Sequence, residues 1–208
     1  NWIGKYQGIE IDFYLNAHPK TKIKVFTTRA ETLYGVSYIG LSPDHKILEK
    51  ITDKDKIHMI KKFKKQIDIG TSNKKSYRDK EIHGLKLDLE AVNPINGEKI
   101  PIWLTNYVLS EYGTGAVMGV PAHDERDYKF ACKYGIKPRK VIIDENNDYE
   151  DSLFTGEGIL INSDELNGKN SEDAKEIIVN IGEKKEWARI KTKYRLRDWL
   201  ISRQRYWG

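Results

Sequence analysis

The segment Gly113–Asp127 reads GTGAVMGVPAHDERD and predicts a turn, a short strand and a helix in direct succession. The glycines permit a tight turn and a close approach of the backbone. Ala116–Val120 is an apolar run typical of a buried strand, and Pro121 ends it. Helix Asp124–Tyr134 follows, with Asp124 as its N-cap and Gly135 as its C-terminal stop. The segment therefore predicts a strand that delivers a dense polar cluster to a helix N-terminus.

Three interpretations of this cluster remain open from the residues alone. A phosphate loop is disfavoured, since no Lys-Ser/Thr pair follows the glycines and the run enters a strand instead of a helix. A metal site could use the His123-Asp124 doublet, but the other histidines occur singly in unrelated contexts. A helix cap explains Asp124 and Asp127 through the helix dipole. It does not require His123 and Arg126 beside them.

The remaining pattern predicts a mixed α/β, β-rich fold without regular βαβ repetition. The expected elements, in chain order, are strands at 22–26 and 34–41, a helix at 52–67, a hairpin at 84–104 turning at Asn96-Gly97, a strand at 141–144, a polar loop at 146–152, a helix N-capped by Ser171 and reaching Ile181, and an extended tail from Tyr194. The two ends of the chain resemble arms more than core.

Charge and cysteine content limit the classes of function. The 208 residues carry a net charge of +5, which favours a polyanionic partner or reflects only a lysine-rich proteome. Five arginines fall in the last twenty residues and alternate with tryptophan and tyrosine, a composition suited to phosphates and stacked bases. Cys132 is the single cysteine, which excludes an internal disulfide and a multi-cysteine zinc site and fits a reducing compartment. No apolar run approaches the ~20 residues of a membrane span.

A second polar cluster, TTRAET, occupies Thr27–Thr32 between two predicted strands. It is either a simple polar turn or a set of hydroxyls and one cation that grips an ester or a ribose. No Ser-His-Asp pattern or G-x-S-x-G elbow accompanies it. A hydrolase of this kind would position water by hydrogen bonds without a covalent nucleophile.

Four motifs in order give the chain a family resemblance: NWIGKYQG (1–8), FTTRAETLYG (26–35), EYGTGAVMGVPAHDERDYKFA (111–131) and YRLRDWLISRQRYWG (194–208). Together they resemble the editing (connective peptide) domain of leucyl-tRNA synthetase, a class I aminoacyl-tRNA synthetase, of bacterial or organellar type. The resemblance implies one compact, barrel-like domain with peripheral helices. Its core would cover residues 20–190, and residues 1–19 and 191–208 would be linker strands leading to the synthetic domain.

The resemblance implies post-transfer editing, which is hydrolysis of the ester in leucine tRNA mischarged with isoleucine, methionine or norvaline. One methyl group distinguishes substrates by only ~1–3 kcal/mol, so a second site must remove errors. The alternative is a module that binds the tRNA acceptor end without hydrolytic activity of its own. Implied partners are the tRNA 3′ end and the rest of the synthetase in cis, with no membrane. The domain would be a cytoplasmic (or organellar) monomer without metal or cofactor, while ATP and Mg²⁺ belong to the synthetic domain.

Residue roles carried over from the family fall into two sets. In the hydrolytic set, Asp127 binds the α-ammonium, while the ester, the ribose or the water is held by Thr27, Thr28 and Arg29. In the substrate-binding set, Thr32 rejects leucine by crowding, Asp124 assists or only caps the helix, and the remaining members are Tyr112, Met118, Val120, His123 and Arg126. The first motif of the family often reads T-T-R-P-D-T, so Ala30 and Glu31 are departures that should leave a less rigid loop.

Overall fold

The structure is a computed structural model that describes residues 3–50, 53–71, 81–110, 113–144 and 153–196. Its strands are β1 (Ile3–Leu15), β2 (His18–Thr27), β3 (Tyr38–Leu41), β4 (Gly84–Val92), β5 (Lys99–Thr105), β6 (Ala116–Gly119), β7 (Ile142–Ile143), β8 (Ile159–Leu160) and β9 (Ala188–Leu196). Its α-helices are α1 (Lys54–Thr71), α2 (Glu125–Tyr134) and α3 (Ser171–Lys184). No described helix has the length and apolar character needed to cross a membrane.

The main sheet has the order β2-β1-β4-β5-β3-β6, with β9 on the free part of β1 and a separate β7-β8 pair. All pairs are antiparallel except β3 with β5. The expected mixed α/β, β-rich fold is confirmed. The sheet is not a closed barrel: β2 and β6 approach each other, but no hydrogen-bonded ladder joins them among the described residues.

β1 belongs to the core, contrary to the prediction of an arm over residues 1–19. Its alternating residues Ile9, Ile11, Phe13 and Leu15 are all buried. The period of two places these four side chains on one face of the strand, and β2 and β9 cover its edges. The core therefore begins well before residue 20. That the chain ends lead to a synthetic domain stays a prediction.

Two further local predictions were wrong. The strand expected at 34–41 begins only at Tyr38, since Ala30–Gly35 is a 3-10 helix whose six residues are all buried. The bond from Thr32 N to the Arg29 carbonyl (3.1 Å) closes its first turn. The N-cap of α3 is Asn170, which accepts a hydrogen bond from Asp173 N. Ser171 is the first helical residue, and its hydroxyl bonds Gly158 instead.

The other element predictions are confirmed within the described residues. α1 overlaps the helix predicted at 52–67 from Lys54 onward, and β4 and β5 form the hairpin, with Gly97 at a φ of 76° in the turn. α2 ends at Gly135, which adopts the left-handed conformation. The loop at 146–152 and the tail beyond residue 196 lie outside the described residues.

Candidate active site

A cavity of about 320 Å³ lies where the ends of β2 and β6 face each other and the N-terminus of α2 begins. Ten of the predicted site residues line it: Thr27, Thr28, Arg29, Thr32, Met118, Val120, His123, Asp124, Arg126 and Asp127. Tyr112 lies outside the described residues. Two clusters that are about ninety positions apart in sequence thus share one cavity.

Asp127 is the buried acid of this cavity, with 6% of its surface exposed. Its Oδ1 accepts hydrogen bonds from the hydroxyls of Tyr38 (2.8 Å) and Tyr107 (3.3 Å), and its Oδ2 accepts one from Val120 N (2.8 Å). Burial and the nearby charge of Asp124 raise its pKa to about 6, although these three bonds oppose the rise. Such a carboxylate is ionised at neutral pH but poorly solvated, so a cationic ligand would stabilise it.

Asp124 is the N-cap of α2, as predicted. Its Oδ1 accepts from the backbone N–H of Arg126 (2.9 Å) and Asp127 (3.0 Å). The side chain is exposed at the cavity wall, so capping and contact with a ligand are compatible. Its charge also acts on Asp127, whose pKa it raises.

His123 is a buried, neutral histidine whose two ring nitrogens already have partners. Nδ1 lies 2.8 Å from the Phe154 carbonyl, while Nε2 accepts from the backbone N–H of Val141 (3.0 Å) and Ile142 (3.3 Å). These partners fix the tautomer with the proton on Nδ1. Burial and the positive charges of Arg29 and Lys140 lower its pKa to about 4. His123 therefore lines the cavity but has no free nitrogen for substrate or water.

Arg29 is held by protein groups on several sides. Its Nε donates to Glu31 (2.9 Å), and its terminal nitrogens donate to the carbonyls of His123, Thr155 and Gly156 at 3.3, 3.0 and 3.0 Å. This fork ties the threonine-rich turn to the segment at 155–156. Glu31, the departure from the family pattern, contributes by orienting the guanidinium, and the turn is an ordered 3-10 helix despite the absence of the proline.

The three threonines of this turn have different roles. Thr27 Oγ1 accepts from Arg29 N (3.0 Å), and Thr32 Oγ1 donates to the Arg29 carbonyl (2.8 Å), so both hydroxyls support the local fold. Thr32 is fully buried at the cavity wall. Thr28 is exposed, and its hydroxyl makes no hydrogen bond to another described residue. It also borders an adjoining groove of about 830 Å³.

The comparisons with known proteins identify the family to which the chain belongs. The family described as "Leucyl-tRNA synthetase, editing domain" matches residues 1–183. The chain belongs to this family.

Among its relatives are leucine–tRNA ligases of a strain of Prochlorococcus marinus, at 49% identity, and of Synechococcus sp. (strain WH7803), at 47%. Each match includes the whole of this chain but 24% of the relative, so the chain spans about a quarter of their length. A similar solved structure is the ternary complex of Agrobacterium radiobacter K84 agnB2 LeuRS with tRNA and LeuAMS. It has a TM-score of 0.70 and 33% identity, and the match covers 96% of this chain and 21% of that one.

Four residues of the editing-domain cavity were not predicted from the sequence, namely Phe26, Tyr107, Val108 and Val117. Tyr107 and Val108 follow β5, which reaches the cavity only because it pairs with β3, the neighbour of β6. No local sequence pattern predicts the pairing of β3 with β5. Phe26 follows the buried Val25, and Val117 lies between the buried Ala116 and Met118. Because side chains alternate along a strand, the sequence could have placed Phe26 and Val117 on the opposite face of their strands.

The glycines of this segment serve a turn and a close packing contact. Gly113 and Gly115 have φ values of 74° and 71° and form the turn before β6. Gly119 is covered by the ring of Tyr38, the residue that bonds Asp127, so this glycine admits a protein side chain and not a ligand. No group of three or more histidine, cysteine or acidic side chains that could hold a metal ion occurs among the described residues.

Proposed function

We propose that this editing domain hydrolyses the ester that joins a non-cognate amino acid to the terminal adenosine of leucine tRNA. The observation that carries the proposal is the buried carboxylate of Asp127 in a small cavity that also contains apolar side chains and a threonine-rich turn. Each part of an aminoacyl ester has a matching partner here. The carboxylate suits the ammonium, the apolar side chains suit the amino-acid side chain, and the threonine-rich turn suits the ester. The similar solved structure is a complex with tRNA, which supports tRNA as the carrier of the ester.

In this proposal Asp127 binds the α-ammonium, and Met118 and Val120 contact the apolar parts of the ligand. Thr28 has the hydroxyl that is free to meet the ester, the ribose or the attacking water, while Thr27 and Arg29 keep the turn in place. Arg29 is thus a positioning residue, which revises the catalytic role expected from the family. Thr32 narrows the side-chain pocket, so that leucine is rejected and isoleucine, methionine and norvaline are accepted.

The reaction needs no covalent intermediate with the protein. The oxygen of a water molecule forms a bond to the ester carbonyl carbon, the bond from that carbon to the ribose oxygen breaks, and a proton given up by the water balances the proton that the ribose oxygen receives. The free amino acid and an uncharged tRNA are released. Holding the ester and the water together supplies the rate enhancement.

The test is deacylation of isoleucyl-tRNA(Leu) by the chain and by Asp127→Ala, in the presence of EDTA. We expect kcat/KM to fall about 100-fold or more, because the ammonium loses a buried ionic partner. Asp88→Ala is the matched control, since Asp88 is an exposed acid paired with Lys56 away from the cavity. Full activity of Asp127→Ala would disprove the ammonium role.

A second candidate is a binding module that needs the rest of the synthetase for hydrolysis. It is favoured by the chain spanning about a quarter of the length of its relatives. The same assay separates the two functions if binding of the mischarged tRNA is measured in parallel. Binding without turnover supports the module, and turnover in EDTA supports a metal-free hydrolase.

A further inference from the structure

Tyr107 lines the cavity and touches the acid that the proposed function assigns to the substrate ammonium. Its hydroxyl oxygen lies 2.5 Å from the Tyr38 hydroxyl and 3.3 Å from Asp127 Oδ1. The Tyr38 hydroxyl is itself 2.8 Å from Oδ1. The three oxygens form a triangle in which each is within hydrogen-bond distance of the other two.

The triangle has fewer hydrogens than contacts when Asp127 is ionised. Burial raises the pKa of both phenols, so each tyrosine keeps one hydrogen at neutral pH. Two hydrogens then serve three contacts, and one edge has no donor. Protonation of Asp127 would supply the third hydrogen, whereas a cationic donor in the cavity would bond the oxygen lone pairs that this edge leaves without a hydrogen.

Of the two tyrosines in this triangle, only Tyr107 reaches the cavity, where Asp127 also lies. Tyr38 is fully buried and is not among the residues of the cavity wall, whereas Tyr107 is partly exposed there. The Arg126 guanidinium lies over the Tyr107 ring, 5.7 Å from the ring centre, and the ring of Phe130 meets it edge-on at 5.8 Å. Two neighbours therefore fix the direction of the Tyr107 hydroxyl.

We propose that Tyr107 is a substrate-binding residue of the editing site, whose hydroxyl holds the Asp127 carboxylate and accepts a hydrogen bond from the substrate α-ammonium. This inference rests on the proposed function. The ammonium has three hydrogens, so it can donate to the Asp127 carboxylate and to the Tyr107 hydroxyl at the same time. The charged and titratable groups around Asp127 are Tyr38 from β3, Tyr107 after β5, and Asp124 and Arg126 at the start of α2, with Arg29 and His123 also in the cavity wall.

The test compares Tyr107→Phe with Tyr134→Phe. Tyr134 belongs to the same aromatic cluster, packs against Phe130, and loses one hydrogen bond, from Gly84 N, without contacting Asp127. The first measurement is the pKa of Asp127 by ¹³C-carboxylate NMR titration of the free chain. We expect a rise of about one unit in Tyr107→Phe, because a bond to the ionised form is lost, and no change in Tyr134→Phe.

The second measurement is the affinity for an isoleucyl-adenosine amide and for the same compound without its α-amine. The chain should prefer the amine, and Tyr107→Phe should lower that preference about tenfold while Tyr134→Phe keeps it. If neither compound binds the unmodified chain, the proposed function fails, and the titration still decides whether Tyr107 acts on Asp127.

An unchanged pKa of Asp127 together with an unchanged amine preference in Tyr107→Phe would overturn the inference. If the variant does not fold, the unmodified chain with ¹³Cζ-labelled tyrosine replaces it. The Tyr107 signal should then respond to the amine compound and not to its deamino form, and the Tyr134 signal to neither. Equal responses of Tyr107 to both compounds would also reject the role.

Discussion

At the scale of single residues, the cavity wall contains two kinds of polar side chain. Some make hydrogen bonds that support the fold, and others are exposed and can bond a ligand. His123, Arg29 and Thr32 have polar atoms bonded to backbone or to Glu31. Asp124 and Thr28 are exposed at the wall of the cavity. The distinction matters because a hydrogen that already has an acceptor, or a lone pair that already has a donor, is not available to a substrate.

Asp124→Asn separates the capping role from the charge. Asparagine caps helices about as well as aspartate, so the free energy of unfolding should change by less than about 0.5 kcal/mol. The lost charge should lower the pKa of Asp127, since Asp124 raises it now. Urea unfolding and the pH profile of deacylation measure the two effects. A stable variant with strongly reduced activity at neutral pH would indicate direct contact with the substrate.

Thr32 can be tested as a steric gate with two matched substitutions. Thr32→Ser keeps the hydroxyl bond to the Arg29 carbonyl but lacks the methyl group, whereas Thr32→Val keeps the shape and lacks the bond. If crowding excludes leucine, Thr32→Ser should hydrolyse leucyl-tRNA at a rate increased about tenfold or more, and Thr32→Val should not. The measurement is loss of leucine from cognate leucyl-tRNA. The reverse result would assign rejection to the hydroxyl.

At the scale of elements, β6 and α2 act as one unit around Pro121. β6 pairs with β3 so that Tyr38 lies opposite Gly119, and the Tyr38 ring covers that glycine. Asp127, in the first turn of α2, bonds both Tyr38 and Val120 N, at the end of the strand. The strand, the helix and the acid therefore have a fixed mutual position.

Gly119→Ala should disturb the site through Tyr38. A methyl group at this position would meet the Tyr38 ring, so the ring must shift. We expect a loss of about 1–3 kcal/mol in the free energy of unfolding and a weaker hold on Asp127, seen as a higher pKa of that acid. Thermal unfolding and the carboxylate titration measure both.

Gly182→Ala is its control, because the added methyl group would meet Ala188 and Trp187, away from the cavity. It should reduce stability without changing the pKa of Asp127. A normal pKa in Gly119→Ala would show that Tyr38 does not position the acid.

At the scale of the whole molecule, the site lies where the sheet does not close. β2 and β6 are at opposite ends of the strand order and come together in space, and side chains from both line the cavity. Two buried groups of opposite pH response, His123 and Asp127, lie there together. Their effects on stability should nearly cancel between pH 4 and 6.

The sign follows from each shift. The pKa of His123 is lowered from 6.5 to about 4, so its contribution to stability decreases as the pH falls through this range. The pKa of Asp127 is raised from 3.8 to about 6, so its contribution decreases as the pH rises through that range. Each pKa shift changes the free energy of unfolding by about 3 kcal/mol over its range, and the two changes with pH have opposite signs.

Asp127→Asn should remove the pH dependence of stability that comes from Asp127 and leave the one that comes from His123. Its free energy of unfolding should rise with pH between about 4 and 6 more steeply than that of the unmodified chain, by about 2–3 kcal/mol across the range. Urea unfolding at several pH values measures the slope. Asp88→Asn, at an exposed position, should follow the unmodified chain. Parallel curves for Asp127→Asn would mean that the acid is ionised in the fold over this range.

Local sequence patterns determined most of the elements and both clusters of the site. Alternation, helical spacing and turn residues depend on neighbours along the chain, so β6, α2 and the hairpin of β4 and β5 could be predicted. The same patterns misplaced the 3-10 helix at Ala30–Gly35, because Thr32 and Arg29 form a short local bond that apolar spacing does not indicate. They also assigned β1 to an arm, because its partners β9 and β4 are remote in sequence.

The sequence by itself determined that a glycine-lined strand ends in a capped helix with Asp124 and Asp127, since capping and strand formation are local. Only the tertiary structure decided what surrounds those acids. It placed the hydroxyls of Tyr38 and Tyr107 next to Asp127, gave both ring nitrogens of His123 backbone partners, and bonded Arg29 of the threonine turn to the His123 carbonyl just before α2. Burial and long-range hydrogen bonds set the pKa of Asp127 and the orientation of the side chains around it. Neither is encoded within a short segment, because the groups responsible are distant in sequence.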